Sequence, residues 1–174
     1  MKIIFGVSAS IAIYKSCEII RSLKKKGMEI HVVMTPTASQ WISPIVFSAL
    51  SDNPVFVNDT DHGNTMAHIN LRANCDLMVV APATANVISQ AATGASPTLL
   101  STLFLSFSGP KWIAPAMNPE MYNQPAVKNN LAKLEEYGYR LLSPESGEAL
   151  CGDFGEGKMA SVEFICQQIT DYSK

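Results

Sequence analysis

The chain has 174 residues and a mass of 18.9 kDa, with 47% apolar residues, 16% charged residues and a formal charge of −2. Charge this far below the usual quarter, beside so many apolar groups, excludes a disordered chain. A pI near 5.9 also excludes the basic surplus with which nucleic-acid binders neutralise phosphates, and no nucleic-acid partner is expected.

At this length one domain, spanning 1–174, is expected. The charge deficit further implies that some apolar surface is covered by a second subunit or a cofactor. Residues 2–7 are a continuous apolar run that reads as a first strand, since no small-residue cleavage site follows a long apolar region. An amphipathic helix is expected over 11–26. Its Lys24-Lys25-Lys26 end sits well against the helix dipole, and Gly27 supplies a left-handed cap. Residues 29–35 form the second strand, with His31 in its middle, and 40–50 form a helix. Residues 52–65 carry Asn, Asp, Gly and Pro and read as a loop that leaves His62 in solvent. Strands follow at 76–81, 111–116 and 139–143, and helices at 85–93, 97–107, 124–137 and 162–172. Residues 146–158, rich in glycine and acidic side chains, read as a loop able to fold over a ligand.

The longest greasy stretch, 99–107, is interrupted by Ser101, Thr102 and Ser106 and falls far short of a span of about 20 residues, so no membrane partner is expected. Cys17, Cys75, Cys151 and Cys166 stand far apart without a CxxC pair, which gives neither a zinc site nor a disulfide framework. A reducing cytoplasm is the expected compartment and no metal site is expected.

Strand and helix alternate throughout, and the strands are uniformly apolar, as burial on both faces demands. The expected fold is a three-layer α/β/α sandwich with a parallel sheet, Rossmann-like or flavodoxin-like. Polar residues just after the strands should then converge on one edge. After the first strand comes Gly6-Val7-Ser8-Ala9-Ser10-Ile11-Ala12, which lacks the GxGxxG of a dinucleotide fingerprint, and the second strand ends without an acidic residue. Ser8, Ser10 and the amides near Ile11 suit the phosphate of a mononucleotide, while Ser10 serves equally as a plain helix cap. Ala81-Pro82-Ala83-Thr84-Ala85-Asn86 follows the third strand. Its small residues admit a flat ring, with Thr84 and Asn86 facing the ring's polar edge or Thr84 acting only as a cap. Pro115-Ala116-Met117-Asn118-Pro119 follows the fourth, an Asn between prolines whose amide suits a carboxylate or closes an Asx-turn. His68 lies just ahead of the third strand.

Taken in order, these segments resemble the flavin-dependent cysteine decarboxylases, and among them the branch acting on phosphopantothenoylcysteine. The likeness rests on Gly6-Val7-Ser8 through Lys15, His68-Ile69-Asn70-Leu71, Ala81 through Asn86, Pro115 through Asn118 with Met121, and Cys151-Gly152-Asp153 through Gly157-Lys158-Met159. It implies FMN as cofactor and a homotrimer or homododecamer with the flavin at a subunit interface. It also implies oxidative decarboxylation of 4'-phosphopantothenoylcysteine to 4'-phosphopantetheine in coenzyme A biosynthesis. In that chemistry the cysteinyl thiolate is oxidised to a thioaldehyde, the carboxylate leaves as CO2, and the enethiolate is reduced again. By matching positions, His68 is the base or orienting group, Asn118 binds the substrate carboxylate, and Cys151 gives a proton to the enethiol. A thiol with a reference pKa of about 8.5 is mostly protonated at neutral pH, which suits that role. FMN contacts are implied for Ser8, Ser10, Ile11, Thr35, Ser39, Pro82, Ala83, Thr84, Asn86, Ser101 and Thr102, and substrate contacts for Asn118, Met121, Gly152 and Lys158.

The sequence departs from the family pattern at three places. Two glycines are usual at Ala9-Ser10, an Asn-Asp pair near Ser96-Pro97-Thr98, and Arg at Lys158, whose planar fork Lys lacks. The chain has no room for the ligase domain often fused to such decarboxylases, so a separate synthetase is expected. Lantibiotic-type peptide-cysteine decarboxylases, flavin prenyltransferases and non-catalytic regulatory flavoproteins are the alternatives. The block around Cys151 favours the full reduction to phosphopantetheine.

Overall fold

The computed structural model describes residues 1–148 and 152–174. Five strands form the main sheet: β1 (Lys2–Val7), β2 (Glu29–Met34), β3 (Leu77–Ala83), β4 (Lys111–Pro115) and β5 (Arg140–Leu141). Their order is β2-β1-β3-β4-β5 and every pairing is parallel, the flavodoxin-like arrangement. All seven residues of β3 are buried, as are all of β1 after Lys2, which is why these strands read as unbroken apolar runs.

Alternation of side chains divides the core in two. Ile3, Phe5 and Val7 of β1 join Val79 of β3 against α1 (Ile13–Lys25), α3 (Pro44–Ser51) and α9 (Val162–Tyr172). Ile4, Met78, Val80 and Ile113 face the other way, against α4 (Ala67–Asn74), α5 (Ala85–Thr93), α6 (Leu99–Ser106) and α8 (Pro125–Glu136). The three-layer sandwich follows. At Gly6 a Cβ would lie 2.7 Å from Leu100 Cδ1 and 2.9 Å from Val80 Cγ2, so α6 crosses β1 where only glycine fits. At the end of α1, Gly27 (φ +80°) and the Met28 amide bonded to Leu23 form the expected left-handed stop.

Several elements differ from the sequence reading. The first helix starts at Ile13, because Ser10 to Ala12 form a turn. The helix expected over 40–50 is two, α2 (Pro36–Trp41) and α3, since Ser43 before Pro44 is held extended at ψ 133°. The polar loop contains a short 3-10 turn, Asp61–Gly63. There the exposed His62 bonds the Val55 carbonyl at 2.8 Å and meets Phe56 edge-on rather than only solvent. Two helices were not expected: α4, and α7 (Pro119–Asn123). The glycine-rich segment is an antiparallel hairpin, β6 (Glu145–Glu148) with β7 (Phe154–Lys158). Cys17, Cys75 and Cys166 are free thiols, and burial pushes Cys75 up to about 12. No described helix is long and apolar enough to cross a membrane.

Candidate functional site

Neighbouring connections diverge where β1 lies between β2 and β3, the point at which open parallel sheets take their ligands. Ser8 sits there, 1% exposed, and its hydroxyl is engaged both as donor and as acceptor. It donates to the Pro82 carbonyl at 2.8 Å and accepts the Thr84 amide at 3.1 Å. Ser8 therefore latches the loop after β1 to the loop after β3. Ser10 Oγ accepts the Ala12 amide at 3.3 Å, and its carbonyl accepts Ile13 at 2.9 Å, which turns the chain into α1. The Ala9 and Ile11 amides lie outside the chain's own hydrogen-bond network among the described residues. No acidic side chain stands between Ser8 and Ala12.

The other expected cofactor residues lie on the same edge. Thr35 caps α2, accepting the Ala38 amide at 3.2 Å while its own amide bonds Val7, and Ser39 Oγ donates to Pro36 at 2.8 Å. Pro82 and Ala83 end β3 and are buried; Thr84 caps α5 through its backbone, and Asn86 is exposed in the first turn. Ser101 is buried in a reciprocal cap with Thr98, and Thr102 Oγ1 donates to the Thr98 carbonyl at 3.0 Å. Between α2, the loop before α4 and the start of α6 lies a cavity of about 270 Å³. Asn58, Asp59, Ser96, Thr98 and Thr102 are among its lining residues.

His68 occupies the first turn of α4 with its side chain 18% exposed. Its Nδ1 lies 2.7 Å from Asp59 Oδ2 and 2.9 Å from Oδ1, and its backbone amide donates to Oδ1 at 2.9 Å. Asp59 thus caps the helix and holds the ring together. The loop around Asp59 is fixed by Asp61, which accepts the Val57 and Asn58 amides at 2.7 and 2.8 Å. Burial would raise the Asp61 carboxyl, but those amides more than offset it and hold it below the usual carboxylate range.

Asn118 ends the turn after β4 and caps α7, with Oδ1 accepting the Glu120 and Met121 amides at 2.7 and 3.3 Å. Its Nδ2 donates to Asp153 Oδ2 at 2.6 Å. The hairpin lies against this turn, the Met117 amide bonding the Gly157 carbonyl at 2.9 Å. A Cβ on Gly157 (φ +140°) would stand 2.6 Å from the Met117 oxygen. Gly152 adopts φ +87°, Lys158 ends β7 exposed, and Met121 is 48% exposed on α7. Cys151 lies outside the described residues.

The expected residues therefore form two groups. One gathers the switch-point loops and helix starts, with His68 on the neighbouring α4; the other joins Asn118, Met121 and the hairpin. Asp59 and Asp153 were missed. The signal for Asp59 was the Asn58-Asp59-Thr60-Asp61 run ahead of His68, and for Asp153 its place beside Gly152.

The switch-point loops suit an anionic, planar ligand. They offer helix starts and uncommitted amides for a phosphate, and small residues for a ring. Fold and site together define a flavodoxin-like α/β protein built to hold a ligand at the carboxyl edge of its sheet. The Flavoprotein family matches residues 1–174, and the chain belongs to it. A "Probable phosphopantothenoylcysteine decarboxylase" of Streptococcus mutans is 38% identical over 174 residues, covering 98% of this chain and 97% of that one. The "Coenzyme A biosynthesis bifunctional protein CoaBC" of Bacillus subtilis is 39% identical over 165 residues, covering 94% of this chain. The chain spans only 41% of that bifunctional relative's length. Among solved structures, a PPC decarboxylase mutant complexed with pantothenoylaminoethenethiol superposes with TM-score 0.87 at 26% identity, covering 99% of this chain and 97% of the other. The FMN-dependent cysteine decarboxylase SpaF superposes at 0.86 with 29% identity, covering 100% and 98%.

Proposed function

We propose that this chain is an FMN-dependent phosphopantothenoylcysteine decarboxylase, converting 4'-phosphopantothenoylcysteine to 4'-phosphopantetheine for coenzyme A biosynthesis. The observation that carries the reading is the Asn118 turn. Its amide already donates to a carboxylate, that of Asp153, at 2.6 Å, beneath a hairpin that closes over it. A substrate carboxylate has the same chemistry. A relative matched over nearly its full length bears the name of this activity.

FMN would be held at the switch point: its phosphate by the backbone of residues 9–11 with Ser10, and its ring beside Pro82, Ala83, Thr84 and Asn86. Thr35, Ser39, Ser101 and Thr102 complete the surrounding helix starts. Because the Ser8 proton is spent on Pro82, Ser8 contributes by shaping the loop. Bound flavin would supply two-electron oxidation at the cysteinyl group, so that the carboxylate can leave as CO2, and in its reduced form would return the two electrons to the enethiol. His68 takes the thiol proton, Asn118 orients the carboxylate, Cys151 returns a proton to the enethiol, and Met121, Gly152 and Lys158 hold the rest of the substrate. Exposed apolar side chains at Ile11 (58%) and Met66 (56%), beside the site, support assembly with further copies, and the family resemblance implies a homotrimer or homododecamer.

The test is purified, flavin-loaded protein given phosphopantothenoylcysteine, with a cysteine-terminated peptide as control. CO2 release with phosphopantetheine as product is expected. Turnover of the peptide alone, or no release from either, overturns the reading.

A further inference from the structure

We propose that Asp59 is a positioning residue for His68, its carboxylate fixing the imidazole with the proton on Nδ1 and the lone pair on Nε2. The role rests on the reading of His68 as a base given above. A carboxylate accepts hydrogen bonds and cannot donate them when ionised, so the ring nitrogen facing it must carry the hydrogen. Nδ1 faces both oxygens, at 2.7 and 2.9 Å, and Nε2 is left as the acceptor. With the side chain only 18% exposed, protein rather than water sets the ring's orientation.

The geometry exceeds what a helix cap requires. Capping α4 needs only the bond from the His68 amide to Asp59 Oδ1, at 2.9 Å. The second oxygen, Oδ2, makes the shortest contact of the set and makes it to the ring alone. Asp59 is itself held twice over. Its carbonyl accepts the Ala67 amide at 3.0 Å, and the two amides just before it are fixed by Asp61. A base that must meet a small thiol gains from this, because its lone pair is presented in one direction before substrate arrives.

Asp59→Asn separates the two roles. The His68 amide can only donate, so it keeps the Asn oxygen in the Oδ1 place and preserves the cap. The Oδ2 place then becomes an NH2 donor 2.7 Å from Nδ1, which moves the ring proton to Nε2 and removes the base's lone pair. In flavin-loaded protein labelled with 15N-histidine, at a pH where imidazole is neutral, His68 should show a protonated Nδ1 and a bare Nε2. The three histidines are separated by His31→Gln and His62→Gln. In Asp59→Asn the pattern should reverse, and kcat should fall on the order of 10²-fold with KM little changed. A wild-type ring protonated on Nε2 overturns the proposal, as does Asp59→Asn with unaltered kcat or an unaltered ring pattern. The wild-type measurement stands even if the variant fails to fold. The ring pattern is also read without turnover, so failure of the dyad and failure of the substrate assignment are told apart.

Discussion

Asn118 shows how much one side chain can carry. Its oxygen closes α7 while its nitrogen reaches across to Asp153, so the cap and the bond to the hairpin side use opposite ends of one amide. Asn118→Asp keeps an acceptor for Glu120 and Met121 but places two carboxylates together. Losing a hydrogen bond to a charged group costs about 1.5–3 kcal/mol, so kcat/KM should fall roughly 10- to 100-fold, and loss of the exposed bond to Asp153 should lower the melting temperature modestly. Steady-state kinetics with a melting curve checks this, and unchanged kcat/KM would remove Asn118 from substrate binding. Ser8 behaves oppositely, because both of its side-chain bonds are internal and buried. Ser8→Ala leaves the Thr84 amide without its partner and should lower unfolding free energy by about 1–3 kcal/mol. Denaturant titration measures it, and an unchanged midpoint would show that the two loops need no latch.

Elements differ in how far the sequence announces them. The inner strands were legible because burial on both faces leaves a continuous apolar run. The gathering of the polar strand-end residues was legible because a parallel sheet brings its loops to one edge. Helix α4 was not: Ala67–Asn74 alternates apolar and polar residues one by one, without a helical stripe, and its cap comes from Asp59, nine residues before His68. Asp59 escaped notice for the same reason, since the intervening chain turns through His62 and Gly63 at positive φ. The hairpin carries glycines and charges without alternation, and it is held by pairing and by docking on Met117, neither of which is local. Gly157→Ala tests that docking. The added methyl meets the Met117 oxygen at 2.6 Å on backbone already at φ +140°, a strain of about 1–3 kcal/mol. The hairpin should lift, with faster amide exchange at Met117 and lower kcat/KM at nearly constant melting temperature; unaltered exchange would show the hairpin is held elsewhere. The loop carrying Asp59 has a pH signature of its own. The Asp61 carboxyl is held below its unfolded value, so its stabilising effect is complete above about pH 4 and fades as the medium becomes more acid. The melting-temperature gap between wild type and Asp61→Asn should be constant near neutrality and shrink below about pH 4. A gap that widens in acid would contradict this account.

For the whole molecule, the low charge content and exposed apolar groups such as Ile45 (72%) and Phe154 (79%) favour assembly. Light scattering at micromolar concentration should give three or twelve times 18.9 kDa, and a stable monomer would defeat the oligomer proposal. The strand order has a further effect, on how this protein comes into being. Strand β1 is synthesised before both of the strands that flank it. Glu29 reaches Lys2 early, but Ile3 waits for Leu77, and Ser8 for Pro82. Until then one long margin of the nascent sheet stands open and greasy, so maturation is paced by distant pairing and exposed to clumping along the way. The ligand edge therefore takes shape only after β3 has been made, since its two halves meet when that margin shuts.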